Sequence, residues 1–161
     1  SMVKMFPDND PDEAVEIYRS YHRNNFGERI KVFPGMKELL AELKTRGIKT
    51  AVVTSRAEVT TVEGLESYGL SDYFDALVTC DDTDRHKPDP EPVNIALKKL
   101  ASKPENALMI GDSMYDLMCA RNAGVKSVLV GWQLAVTPEE INGETGPDYT
   151  VETAEEILNL I

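Results

Sequence analysis

Three short segments carry residue types that can hold a phosphate and a metal ion. The first is Gly111-Asp112-Ser113-Met114-Tyr115-Asp116, directly after the apolar run Ala107-Leu108-Met109-Ile110. Glycine at a strand end permits a sharp turn and presents Asp112 at the sheet rim. Asp116 follows one helical turn later and faces the same mouth. Two carboxylates so placed suit a hard divalent cation such as Mg2+, which takes oxygen ligands. The plainer alternative is that Asp112 caps the next helix and Asp116 is solvated on its first turn. In Ala51-Val52-Val53-Thr54-Ser55-Arg56, a strand ends in two hydroxyl residues just before a helix. Thr54 and Ser55, with the N–H groups of the helix start, would cradle an anion, or they would form an ordinary N-cap. In His86-Lys87-Pro88-Asp89-Pro90, the prolines stiffen the loop and restrict Lys87 to extended backbone. Its ammonium would then neutralise both the aspartates and a phosphoryl group in transfer, or be a solvated loop lysine.

These segments need a scaffold that brings them together. Met36, Leu39, Leu40 and Leu43 recur at helical spacing after Pro34-Gly35, and Gly47 ends that helix. The β-branched run Ile48–Thr54 reads as a buried strand. Helices are expected over about 57–68, 93–101 and 114–122. Strands are expected at Phe74–Thr79, Ala107–Ile110 and Ser127–Val130. A short strand near Tyr149–Val151 and a helix over about 153–160 close the chain. Strands separated by single amphipathic helices define an α/β fold with a parallel, doubly wound sheet. Ligands bind such sheets at the carboxyl ends of the strands. Thr54, Lys87 and Asp112 fall at successive strand ends, so all three project at one rim as a phosphate-plus-metal site.

The length of 161 residues fits one domain, and 42% hydrophobic with 28% charged residues is ordinary for a folded chain. Net charge is −11, from 17 Lys+Arg against 28 Asp+Glu. That balance argues against a nucleic-acid partner, which needs a basic stripe. An anionic substrate remains compatible, because a bound cation reverses the local sign. Cys80 and Cys119 are too few for a disulfide framework, read as buried apolar fillers, and fit a reducing cytoplasm. No apolar run is long enough for a membrane span. His22 and His86 lack partners at metal spacing. Trp132 and Gln133 stand at a strand end, and Trp132 reads as a packing anchor.

The chain resembles the haloacid dehalogenase-like hydrolases, in particular their phosphoglycolate phosphatase and pyrophosphatase branch. Val52-Val53-Thr54-Ser55, Lys87-Pro88-Asp89-Pro90-Glu91-Pro92 and Gly111-Asp112-Ser113 with Asp116 are similar to that family's second, third and fourth motifs. Ala120-Arg121-Asn122-Ala123-Gly124 and Pro147-Asp148-Tyr149 continue the likeness from about Phe33 to the C-terminus. The resemblance implies a Rossmann-like three-layer αβα core and hydrolysis of a small phosphorylated metabolite or pyrophosphate through a phosphoaspartate. By the same likeness Thr54 and Ser55 bind phosphate, Lys87 steadies nucleophile and phosphate, and Asp112 ligates Mg2+. Asp116 acts in the metal's shell or by holding Lys87.

The family's first motif, an apolar strand followed by Asp-x-Asp-Gly, has no counterpart here. Asp8-Asn9-Asp10 has the spacing, but Pro7 precedes it and Pro11 follows. Proline suits neither a central strand nor a donor-rich phosphate loop. Residues 12–29 resemble the last helix of the family's helical cap. The expectation is therefore a cap remnant over 1–30 and a core over 31–161 that lacks its first strand. Such a core would turn over little substrate alone and would be prone to self-association through unpaired sheet edges. Two other readings are a non-catalytic phosphate- or protein-binding module on the same scaffold and a receiver-like domain. The second is disfavoured because no acidic pair follows a first strand.

Overall fold

Leu39, Leu40 and Leu43 form the buried stripe of helix α1 (Met36–Thr45), as their spacing predicts. The computed structural model describes residues 31–132, 137 and 146–161. The Asp8–Asp10 segment, the helix expected over 12–29, and Gln133 lie outside the described residues.

After α1 the chain alternates: β1 (Ala51–Val53), α2 (Glu58–Ser67), β2 (Ala76–Val78), α3 (Glu91–Leu100), β3 (Leu108–Gly111), α4 (Met114–Asn122), β4 (Lys126–Val130) and β5 (Tyr149–Val151). All strand pairings are parallel: Val52 opposes Leu77, Ile110 opposes Val128, and Leu129 opposes Thr150. The expected closing helix is a 3-10 segment, Glu155–Leu160. Its buried residue is Ile157, three residues after the buried N-cap Ala154, a spacing that matches three residues per turn.

The layers follow from the pleat. Val128 and Val130 pack with Leu39, Leu43, Val151 and Ile157 on one face, whereas Leu129 packs with Leu117 on the other. On that second side Val93 and Leu97 of α3 meet Cys119, Ala120 and Val125 around α4. Helices therefore cover both faces of a parallel sheet, the Rossmann-like αβα arrangement that the alternation implies.

One expectation fails in an informative way. The run Ile48–Thr54 is not a long buried strand; it contracts to three residues, none fully buried. Among the described residues β1 pairs only with β2, and β3–β4–β5 form a separate sheet. The lateral neighbour that would bury β1 on its other edge is not among them. Ile110 on β3 is likewise 40% exposed, while Val128 and Leu129 one strand away are wholly buried.

Candidate functional site

The rim of the two half-sheets is organised by Lys87. Its Nζ lies 2.6 Å from Asp116 Oδ1 and donates to the Val53 carbonyl at 3.4 Å. Both side chains of the ion pair are nearly out of water. The loop is fastened to α4: Asn122 Nδ2 donates to the Pro88 carbonyl at 2.9 Å, and Cys119 Sγ lies 2.9 Å from the Asp89 carbonyl. Within the loop, Asp89 Oδ1 accepts the Glu91 N–H at 2.9 Å. Glu91 in turn accepts the N–H groups of Asp84 and Arg85. The stiffness read from the two prolines is thus shared with helix α4.

Asp116 is buried, not solvated. Burial raises its carboxyl, but the Lys87 ammonium and then the Ser113 hydroxyl outweigh this and hold it below the ordinary range. Its Oδ2 accepts Ser113 Oγ at 2.6 Å and the Ser113 N–H at 3.2 Å. Ser113, not Asp112, is the N-cap of α4, and with Asp116 it forms a capping box. Ser113 was missed as a contributor, although Ser113-Met114-Tyr115-Asp116 carries the S-x-x-D signature. Gly111 also has a different reason from the expected turn. Its backbone is not left-handed, but a Cβ there would overlap the Asp116 side chain. Glycine lets the strand end lie directly against that carboxylate.

Asp112 is half-buried at the strand end, and its carboxylate has no hydrogen-bond or ion-pair partner among the described residues. Thr54 is held by its own N–H, which donates to the Val78 carbonyl at 2.9 Å. The Arg56 N–H donates to Thr54 Oγ1 at 3.2 Å, so the hydroxyl keeps its proton to offer. Neither Thr54 nor Ser55 caps α2, whose N-cap is Ala57. The N–H of Glu58 is taken by Asp81 Oδ2 at 2.8 Å, so Asp81 fills part of the expected helix-start cradle. Ser55 is exposed beside Thr54.

The remaining candidates stand apart. His86 is exposed, with Nδ1 3.2 Å from Thr83 Oγ1. Trp132 packs against the β4–β5 core, in keeping with an anchor. Cys80 is only half-buried, contrary to the expectation of a core filler, because it begins the 3-10 turn Cys80–Asp82 beside exposed Asp81. Burial pushes the Cys119 thiol up to about 11, so it is no nucleophile at neutral pH.

Among the described residues no three His, Cys, Asp or Glu side chains converge as a metal cage. Mg2+ does not require one, since it keeps waters and is commonly held by one or two carboxylates plus substrate phosphate. Asp112, unpartnered at the mouth, fits that demand. Asp116 has both oxygens engaged already.

A parallel αβα sheet with a threonine, a lysine and two aspartates at the carboxyl ends of its strands places the chain among Rossmann-like α/β proteins. The sequence model of the haloacid dehalogenase-like hydrolases matches residues 1–130, and the chain belongs to that family. It is 45% identical over 147 residues to a protein of Caldanaerobacter subterraneus subsp. tengcongensis that bears the provisional name pyrophosphatase PpaX. The match covers 91% of this chain and 66% of that one, so this chain spans just under two thirds of that relative. The pyrophosphatase PpaX of Halalkalibacterium halodurans is 32% identical, over 94% of this chain and 71% of its own length. In structure, a HAD-superfamily hydrolase of subfamily IA, variant 1, from Geobacter sulfurreducens superposes with a TM-score of 0.77 at 27% identity. That superposition covers 98% of this chain and 70% of the other.

Proposed function

We propose that these residues form the phosphate- and Mg2+-binding half of a phosphohydrolase acting on pyrophosphate or a small phosphate monoester. The observation that carries the reading is Lys87, fixed between Asp116 and the Val53 carbonyl on the rim that bears Thr54 and Asp112. A fixed ammonium in a poorly solvated site stabilises charge on a transferring phosphoryl group more strongly than a mobile one would. Thr54 donates its hydroxyl to a phosphate oxygen, and Ser55 supports it from the loop. Asp112 would hold the cation, which when bound would neutralise phosphate charge. Asp116 acts through Lys87, orienting the ammonium, and not as a direct ligand.

Of the two rim aspartates, Asp116 is taken by Lys87 and Ser113, and Asp112 is assigned to the cation, so neither is left to attack phosphorus. We therefore place the attacking aspartate outside the described residues. The free thiols of Cys80 and Cys119 support a cytoplasmic setting. Among the described residues no helix is long and apolar enough to cross a membrane.

The test is calorimetric titration of the chain with inorganic phosphate in the presence of Mg2+, together with hydrolysis assays on pyrophosphate and an aryl phosphate. Phosphate binding should weaken about tenfold or more in Thr54→Val, the effect of one lost hydrogen bond to a charged group. Asp112→Asn should remove the Mg2+ dependence. Phosphate affinity indifferent to Mg2+ and to both substitutions would overturn the site. Fast Mg2+-dependent hydrolysis unaffected by Asp8→Asn and Asp10→Asn would overturn the placement of the nucleophile.

A further inference from the structure

Among the described residues strand β2 pairs on one edge only, with β1. The Ala76 N–H reaches back to the Thr50 carbonyl, and the Val78 carbonyl accepts the Thr54 N–H. By strand alternation Leu77, between them, turns its N–H and carbonyl to the outer edge, and Thr79 follows it there. On a bare edge these groups are the template to which another strand adds. Here side chains already hold them. Lys99 Nζ, from the last turn of α3, donates to the Leu77 carbonyl at 2.7 Å. Asp82 Oδ2 accepts the Thr79 N–H at 2.8 Å, while its Oδ1 lies 3.0 Å from the same Lys99 ammonium. The Thr79 carbonyl accepts the Asp82 N–H at 3.3 Å. One ion pair thus spans the edge and stands where a neighbouring strand would bind.

We propose that Lys99 and Asp82 form a guard on the outer edge of β2, which keeps a second copy of this chain from pairing its own β2 there. The pair is too exposed, at 41% and 32%, to contribute much to stability, so holding the fold together is not what it does best. Lysine beside an edge strand blunts it, because the ammonium must be stripped from its carbonyl before a strand can bind. Without the guard the edge would be attractive. Val62 and Leu65 of α2, with Phe74 and Leu77, line an apolar cleft of about 270 Å³ beside β2. An added strand would meet that cleft with a side chain and β2 with its backbone. A second copy is the occupant that fits, because identical edges meet antiparallel about a two-fold axis, each supplying what the other lacks. The net charge of −11 opposes that meeting at long range and is screened by salt, whereas the guard acts at contact. The inference concerns one sheet edge and stands independently of the phosphate reading.

The test compares Lys99→Met, Lys98→Met and Lys99→Arg with the unaltered chain by sedimentation velocity. Samples at about 10 and about 300 μM are run in about 200 mM NaCl, where charge repulsion is screened. Lys98 is exposed one residue away on α3, and its substitution removes the same charge without touching the edge. Dilute Lys99→Met should fold, with a melting temperature within a few degrees of the unaltered chain. At the higher concentration it should sediment as a larger species than the unaltered chain, and its Leu77 amide should exchange about tenfold or more slowly than in the dilute sample. Lys98→Met should behave as the unaltered chain does. Lys99→Arg, which keeps a cation for Asp82 and a donor for the carbonyl, should do so too. Four results would overturn the inference: no change of size in Lys99→Met; an equal change in Lys98→Met; a larger species whose Leu77 amide exchanges as fast as before; or a Leu77 amide equally slow in the unaltered chain. None of these readouts involves phosphate, so failure here leaves the proposed function to its own titrations.

Discussion

At 2.6 Å from Asp116, with both side chains mostly out of water, the Lys87 ammonium carries a desolvation cost that only its partner offsets. Removing one member should therefore be more damaging than removing both. Lys87→Met is expected to lower the unfolding free energy by about 3–5 kcal/mol, and Lys87→Met combined with Asp116→Leu should recover most of it. Urea denaturation of the two single variants and the double variant measures this directly. The pair also sets an acid limb. Because the folded Asp116 carboxyl lies below its unfolded value of about 3.9, its contribution is fully present above that pH and is lost as pH falls through the folded value. A pH series of melting temperatures should show Asp116→Asn with a shallower decline below about pH 4. Some slope should persist in that variant. Asp148, lowered chiefly by the Ser127 N–H, and Asp82, lowered chiefly by the Thr79 N–H, titrate in the same direction.

At the scale of elements, the junction from β3 to α4 concentrates two demands in six residues. Ser113→Ala removes the capping box and should cost about 1 kcal/mol by denaturation, within the range for lost N-caps. Gly111→Ala should cost about 1–3 kcal/mol, since its Cβ must displace the Asp116 side chain against the Lys87 contact. Sequence alone exposed most of this architecture: glycine after an apolar strand, then carboxylates one helical turn apart. It could not show that Asp116 is buried against Lys87 while Asp112 stays half-buried without a partner among the described residues, because both arrangements have the same spacing. Nor could it show that Asn122 and Cys119 hold the lysine loop, since those contacts cross about thirty residues of chain. The shortness of β1 was also hidden. Val52-Val53 is strongly β-prone, yet burial depends on a lateral neighbour that no local pattern encodes.

Across the whole molecule the acidic balance acts on every element at once. At −11 the compact state repels itself, so added salt should raise the melting temperature from about 10 to about 200 mM NaCl, with the buried Lys87–Asp116 pair little affected. A fall in stability over that range would show that exposed pairs such as Arg46–Glu42 and Lys99–Asp82 outweigh the general repulsion. The ordering of strands and helices was legible at this scale because period and punctuation repeat along the chain. The division into two half-sheets was not, since it concerns which edges meet. The lysine strap across that division has a further consequence for how such a protein can change. An apolar pair in place of Lys87 and Asp116 would make the scaffold firmer, as buried ion pairs commonly can be improved upon. It would also take the Lys87 ammonium away from the rim. Sturdiness and the proposed phosphate site therefore pull against each other at a single nitrogen atom.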